Sequence, residues 1–336
     1  DDDRTATLPA MPLPPPTPRA DPARRGWLGA ASAVAVLAIW SSFIVVARFG
    51  AQRELTPFDI AFVRFVFSGV VVVAVLGWLA WRHGRHPLAG LGWRRSAALA
   101  ATAGIGYCTL AYSGFLFAPA AHAAVLMPGS LPLWTALIAV VLVGERLTAR
   151  RALGLALIVA GDLLVGGASL VQAFGGDTTW RGDALFLAAA MTWSLYAVLC
   201  RRWHVDAVAA TMAIAVGCLV SYVPLYALGV LLGLWPSALA TAPWREIAWQ
   251  ALYHGGLSML VAGVAFTYAV RTFGPVRTTM VTALVPSIAA LSAVPLLGEP
   301  LAPHSAAGLA SVTLGLLVGL RGAASAPAPA LREKTV

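Results

Sequence analysis

Residues 144–147 read Gly144-Glu145-Arg146-Leu147, residues 298–301 read Gly298-Glu299-Pro300-Leu301, and the passages around them match as well. At an offset of 154, residues 131–163 fall on 285–317 without a gap. Pro132 meets Pro286, Gly144-Glu145 meets Gly298-Glu299, Leu147 meets Leu301, Gly154-Leu155-Ala156 meets Gly308-Leu309-Ala310, and Gly161 meets Gly315. Fifteen of the 33 pairs are identical. Ala, Leu and Val coincide easily in an apolar chain, but Pro, Gly and Glu in register do not, so the chain reads as an internal duplication. Weaker echoes at an offset of 153 extend it: Trp40-Ser41, Val45 and Arg48 match Trp193-Ser194, Val198 and Arg201.

The medium in which the duplication folds follows from composition. Of 336 residues, 59% are hydrophobic and 11% charged, with a mean hydropathy of +0.80. A water-soluble fold of this size needs more charge on its surface, whereas a bilayer protein faces lipid. The net charge of +9 does not point to nucleic acid, because the arginines sit between apolar runs and not in a basic, aromatic-rich patch. Cys108, Cys200 and Cys218 lie in or at the end of apolar runs without metal-ligand spacing, so neither a disulfide framework, a metal nor another cofactor is expected.

Apolar spans recur at about 27–47, 58–80, 96–117, 120–143, 150–170, 184–200, 207–234, 246–270, 278–297 and 303–320. Each is expected to be helical, since lipid offers no partner to open backbone groups. The ten define an all-α polytopic membrane protein: a Pro-rich disordered tail over 1–26, five-helix halves over 27–170 and 171–320, and a short tail over 321–336. With a cytoplasmic N-terminus, eighteen of the 23 basic residues fall in inner segments; Arg48, Arg53, Arg181 and Arg245 fall outside, and Arg64 within a span. That bias predicts both termini in the cytoplasm. An odd number of helices per half then inserts the second copy upside down, the architecture of alternating-access transporters.

Pro132, Gly144-Glu145-Arg146-Leu147, Gly154 and Gly161, repeated as Pro286, Gly298-Glu299-Pro300-Leu301, Gly308 and Gly315, resemble the EamA family of the drug/metabolite transporter superfamily over roughly residues 27 to 320. The resemblance implies ten helices in two inverted halves around a central cavity. It also implies export of amino acids or other small metabolites, often aromatic or hydrophobic, across a bacterial inner membrane. Pro300 and Pro303 replace Arg146 and Ala149 in the second copy, which is expected to stiffen that hairpin.

Helix-terminus chemistry accounts for both glutamates: each follows a glycine able to end a helix and precedes the positive end of the next one, with Thr148 a candidate N-cap and Pro303 suited to a first turn. The hairpins are therefore read as marking the fold and not the site. The site is expected beside the proline breaks of the fourth and ninth spans, Met127-Pro128-Gly129-Ser130-Leu131-Pro132 and Pro286 with Pro295, because matched kinks in inverted halves free backbone groups at the midplane. Met127, Ser130, Pro132, Trp134, Thr279, Thr282, Pro286 and Ser287 flank those breaks.

Arg64 and Asp162 lie roughly 10 Å deep at about 1.5 Å per residue, with His254 at a similar level, and intramembrane ionisable groups are functional candidates. A salt bridge between Arg64 and Asp162, or a substrate or proton site, both satisfy that depth. Trp40, Tyr107, Tyr112, Trp193, Tyr196 and Tyr268 are deep aromatics that could stack on a substrate or simply pack. The expected partners are thus a small molecule and the lipid bilayer, and the expected function is secondary transport. No ATP-binding loop occurs and Lys334 is the single lysine. An intramembrane enzyme would need a nucleophile and base or a metal cluster, which six scattered histidines do not form; a receptor or scaffold would not need matched kinks.

Overall fold

The computed structural model describes residues 22–324 apart from 85–87, 89 and 146. Arg146, the Pro-rich part of the N-terminal tail and most of the C-terminal tail lie outside the described residues. Every regular element among the described residues is a helix. In chain order they are α1 (Pro22–Ala51), α2 (Pro57–His83), α3 (Trp93–Leu99, Ala100–Gly106 and Tyr107–Gly114 end to end) and α4 (Ala120–Ala124, Val125–Gly129 and, after a turn at Ser130, Leu131–Val143). Then come α5 (Ala149–Ala173), α6 (Thr179–Trp203), α7 (Ala207–Leu231), α8 (Trp244–Gln250, Ala251–Val261, Ala262–Phe273), α9 (Pro275–Thr282 and Val285–Leu297) and α10 (Pro303–Ala324). The first helix begins at Pro22, inside the stretch read as a tail.

By length and composition, nine helices among the described residues can cross a membrane. The exception is α3, which forms where expected but is diluted by Gly, Thr, Ser and Tyr. Large apolar side chains point away from the protein along these helices, among them Val141, Leu163, Val171, Val220, Leu228 and Leu291. In water such a surface would aggregate; against acyl chains it is the stable choice. Trp27, Trp81, Trp93 and Trp244 are exposed at or near helix ends, where an indole can keep its N–H in the headgroup region. This is a multi-pass membrane protein.

Local chemistry explains where helices stop and start. Gly144 and Gly298 end α4 and α9 in the left-handed conformation, each at φ 69°, which side chains with a Cβ avoid. Thr148 accepts the backbone N–H of Arg151 at 3.3 Å, Asp206 caps α7, and Thr56 with Asp59 forms a reciprocal box at the start of α2. Proline breaks α4 and α9 at matched points, Ser130 before Leu131-Pro132 and Ala283-Leu284 before Val285-Pro286. Pro295 does not interrupt α9 as expected; the helix runs through it to Leu297, giving up the one backbone bond that a residue 295 N–H would make to the Leu291 carbonyl.

Helix packing joins the two halves reciprocally. The first helix of each half crosses to the third and fourth helices of the other: α1 packs on α8 and α9, and α6 on α3 and α4. Likewise α2 meets α7 and α8, while α7 meets α2 and α3. The most extensive contact is α5 against α10. There a Cβ on Gly154 would lie 2.7 Å from the Gly315 carbonyl oxygen and one on Gly161 2.6 Å from that of Gly308, with the reverse contacts at 2.6 and 2.9 Å. The N-terminal glycine of each helix meets the C-terminal glycine of the other, so the pair is antiparallel and approaches backbone to backbone, as small-residue seams do in lipid.

Candidate functional site

The breaks in α4 and α9 and two irregular turns in α3 and α8 surround a cavity of about 510 Å³. The irregular turns are π-helical, Ala100–Gly106 and Ala251–Val261, and occur at corresponding places: Trp93 and Trp244 begin the helices, and Ala100 and Ala251 begin the wide turns. A π-turn rotates the residues after it and often accompanies a site. Tyr107, just after the first, and Ser258, within the second, both reach the cavity.

Of the residues singled out from sequence, Trp40, Arg64, Tyr107, Met127, Pro132, Trp193, Thr279, Thr282 and Pro286 line the cavity. The others do not. On α4 the lining residues are Met127, Pro128, Leu131, Pro132 and Thr135, one face at helical spacing; Ser130 lies off it and donates to the Leu126 carbonyl at 2.6 Å, and Trp134 is outside the lining with its Nε1 buried. Ser287 is hydrogen-bonded to Thr313 at 3.0 Å. Tyr196 packs behind Trp193, ring centroids 5.2 Å apart, and Tyr268 is outside the lining. Tyr112 and His254 form a layer behind Arg64: the guanidinium donates to the Tyr112 hydroxyl at 3.3 Å, and that hydroxyl meets His254 Nδ1 at 3.1 Å.

Arg64 and Asp162 do not pair. α2 packs against α7 and α8, whereas α5 packs against α10, α6 and α4, which keeps the two charges on different seams. Asp162 continues the stripe of Gly154, Leu155 and Ile158 one turn beyond the cavity, and both its oxygens are buried without a hydrogen-bond partner among the described residues. Arg64 lines the cavity at 6% exposure. No carboxylate of the described residues lies within ion-pair distance of it, and its Nε is buried unpartnered.

The glutamates of the repeated hairpin do more than end helices. Glu145 lines the cavity at one end, bridged to Arg151 of its own half and to Arg201 of the other half at 2.7 Å. Burial opposes its ionisation, yet hydrogen bonds from Arg151 and Arg201 outweigh that and hold its carboxyl below the usual range. Glu299 lies outside the lining and is bridged to Arg48 of the other half at 2.6 Å, with the Ala120 N–H donating at 2.8 Å. Arg48 and Arg201 are mates in the duplication, as are the two glutamates, so each half supplies the arginine for the glutamate of the other. The matched Arg and Glu echoes carried this signal, but nothing local in the sequence joins them. A second pair was also missed: His122 Nδ1 and Asp183 Oδ1 are 2.9 Å apart and buried, with His304 edge-on to His122.

Comparison with known proteins agrees with this architecture. A crystal structure of a protein 21% identical superposes at a TM-score of 0.59, covering 91% of this chain and all of its own; at that identity the likeness concerns the fold. An uncharacterized transporter of Archaeoglobus fulgidus is 26% identical over 164 residues, 48% of this chain, and the chain spans about half of that relative's length, 53%. The model of the EamA-like transporter family matches twice, over residues 27–167 and 180–321. The chain belongs to the EamA-like transporter family.

Proposed function

We propose that the protein is a secondary transporter that exports small metabolites, hydrophobic or aromatic amino acids among them, by alternating access. On this reading ten helices form two inverted five-helix halves, 27–170 and 171–320, with both termini cytoplasmic in a bacterial inner membrane. The single observation that carries it is reciprocity. Arg48 holds Glu299 and Arg201 holds Glu145, while Gly154 meets Gly315 and Gly161 meets Gly308. Such i-to-j, j-to-i pairing is what a twofold axis between related units produces, and on an antiparallel helix pair that axis runs across the helices, as inversion requires.

The cavity extends to Glu145 and stops short of Glu299, which supports a form open at the Glu145 end and latched at the Glu299 end. If the halves exchange conformations, the open and latched ends exchange too. Trp40, Trp193 and Tyr107 offer ring faces to an apolar body, and Arg64 offers hydrogen-bond donors to a carboxylate. The test is flux of radiolabelled amino acids in proteoliposomes of the full chain. Saturable, protein-dependent movement is expected; chemical turnover of a substrate without movement across the bilayer would overturn the reading.

A further inference from the structure

We infer that the cavity selects apolar monocarboxylates lacking a free ammonium group over zwitterionic amino acids, an inference that rests on the transport reading for its physiological meaning. The charge arrangement around the cavity is one-sided. Arg64 brings a buried guanidinium into it, with the Phe43 ring 6.0 Å away and, among the described residues, the Tyr112 hydroxyl as the one hydrogen-bond acceptor it engages. A guanidinium carries five donor hydrogens, arranged to grip a carboxylate with two parallel bonds. The one carboxylate in the lining, Glu145, is already taken by Arg151 and Arg201 at the cavity's end. The rest of the lining is mostly apolar or aromatic, with Trp40, Met127 and Trp193, and its other polar groups are the neutral hydroxyls of Tyr107, Thr135, Ser258, Thr279 and Thr282.

A monoanion in this space cancels the buried charge of Arg64 and leaves no desolvated group unpaired. A zwitterion satisfies Arg64 equally well but carries in an ammonium that finds only neutral hydroxyls in the lining, since Glu145 is taken and Asp162 lies one turn beyond it. Ring faces offset the desolvation of an ammonium less well than an ion pair does. An amine without a carboxylate adds a second positive charge beside the first. The ligand class read from the cavity is therefore an aryl or branched alkyl group joined to one carboxylate, of the size that a 510 Å³ cavity accommodates.

Three probes sharing one ring test this: 3-phenylpropionate, L-phenylalanine and phenethylamine, titrated calorimetrically into the detergent-purified full chain. Binding of the acid is expected to be tighter than that of the amino acid by about tenfold or more, the scale of one charged hydrogen-bonding group left unpaired, with no saturable heat from the amine. Arg64→Gln should abolish the preference and Arg64→Lys should retain part of it; the lysine variant guards against a glutamine variant that fails to fold. Phenylalanine binding as tightly as the acid, saturable binding of the amine, or no binding of the acid would each overturn the inference. Protein-dependent movement in proteoliposomes without the preference would sink the charge assignment alone. The preference without movement would sink the transport reading and leave a binding site.

Discussion

The Glu145 and Glu299 ends of the molecule are built from the same motif and differ in how they are closed. Both glutamates follow a left-handed glycine, and both are held by an arginine of the opposite half. At the Glu299 end the pair is 18% and 14% exposed, Gln52 and the Ala120 N–H add bonds, and Arg48 also donates to the Phe115 carbonyl. At the Glu145 end Arg201 is 50% exposed, the glutamate 29%, and the cavity reaches them. Matching motifs thus sit in unlike environments at the two ends, as two conformations of one repeated unit would place them, alongside substitutions such as Pro300 for Arg146.

What the two ends share should be the hardest feature to alter. The α5–α10 seam places Gly161 against the Gly308 carbonyl and Val312, where a Cβ would fall within 2.6 Å of both. Gly161→Leu is expected to force the helices apart at a cost of about 1–3 kcal/mol or more, enough to lower the thermal midpoint in detergent and the yield of folded protein. Because the seam belongs to both ends, the variant should not favour one end over the other. Unchanged stability, or a selective opening of one end, would show that the glycine seam is not the common axis.

Breaking the latch comes next. Arg48→Ala leaves the Glu299 carboxylate with the Ala120 N–H and a long contact to Gln52, a loss of about 1–3 kcal/mol for a charged hydrogen bond in a half-dry site. The comparison supplies its own reporters. Leu316 lines the cavity, whereas its mate in the duplication, Asp162, is buried beyond it. A thiol at Leu316→Cys should react from the Glu145 side in the parent protein, and one at Asp162→Cys should not. Adding Arg48→Ala should reverse that order, raising labelling at position 162 from the Glu299 side by about tenfold for each 1.4 kcal/mol of bias. Equal labelling at both positions with and without Arg48 would mean the ends do not exchange.

The fold was legible where its causes are local. Gly144 and Gly298 as helix ends, Thr148 as a cap and the breaks before Pro132 and Pro286 follow from backbone chemistry within a few residues, and the structure has each of them. Trp40 and Trp193, which the duplication pairs, both line the cavity, though the pairing alone left packing and stacking on a substrate both open. Ser130, Trp134 and Ser287 were misplaced because a proline break resets the phase of a helix face by an angle that sequence does not encode. The π-turns at Ala100–Gly106 and Ala251–Val261 each hold two glycines, Gly104 and Gly106, and Gly255 and Gly256, but glycine in an apolar helix does not by itself specify a widened turn. Depth alone put Arg64 and Asp162 together, but depth does not say which seam a side chain faces. The Arg–Glu bridges join residues far apart in the chain, and only packing shows that each arginine crosses to the other half.

A smaller effect is expected from a pair of serines that are mates in the duplication. Ser194 Oγ donates to the Leu131 carbonyl at 3.1 Å, whereas Ser41 Oγ is buried with no hydrogen-bond partner among the described residues. If the halves exchange conformations, Ser41 gains the corresponding bond, to Val285, as Ser194 loses its own. Ser194→Ala should then bias the protein toward opening at the Glu299 end and Ser41→Ala against it, each by about 1 kcal/mol, read from the same thiol labelling ratio. Shifts in the same direction would contradict the exchange.

The smallest effect belongs to the exposed bridge. Glu145 has its carboxyl held below the ordinary value of 4.5, by Arg151 and Arg201 acting against burial. A depressed folded-state value means that the bridge contributes fully above about pH 4.5 and is lost only as pH falls through the lowered value. The contribution is limited because Arg201 and Glu145 are 50% and 29% exposed, and solvent-screened pairs contribute about 0–1 kcal/mol. Labelling of Leu316→Cys from the Glu145 side, taken relative to that of a free thiol at the same pH, should therefore stay level between about pH 7 and pH 5, with any rise confined to more acid conditions, and Glu145→Gln should remove the acid rise. A transition near neutrality that survives Glu145→Gln would assign the pH response to a group outside the bridge.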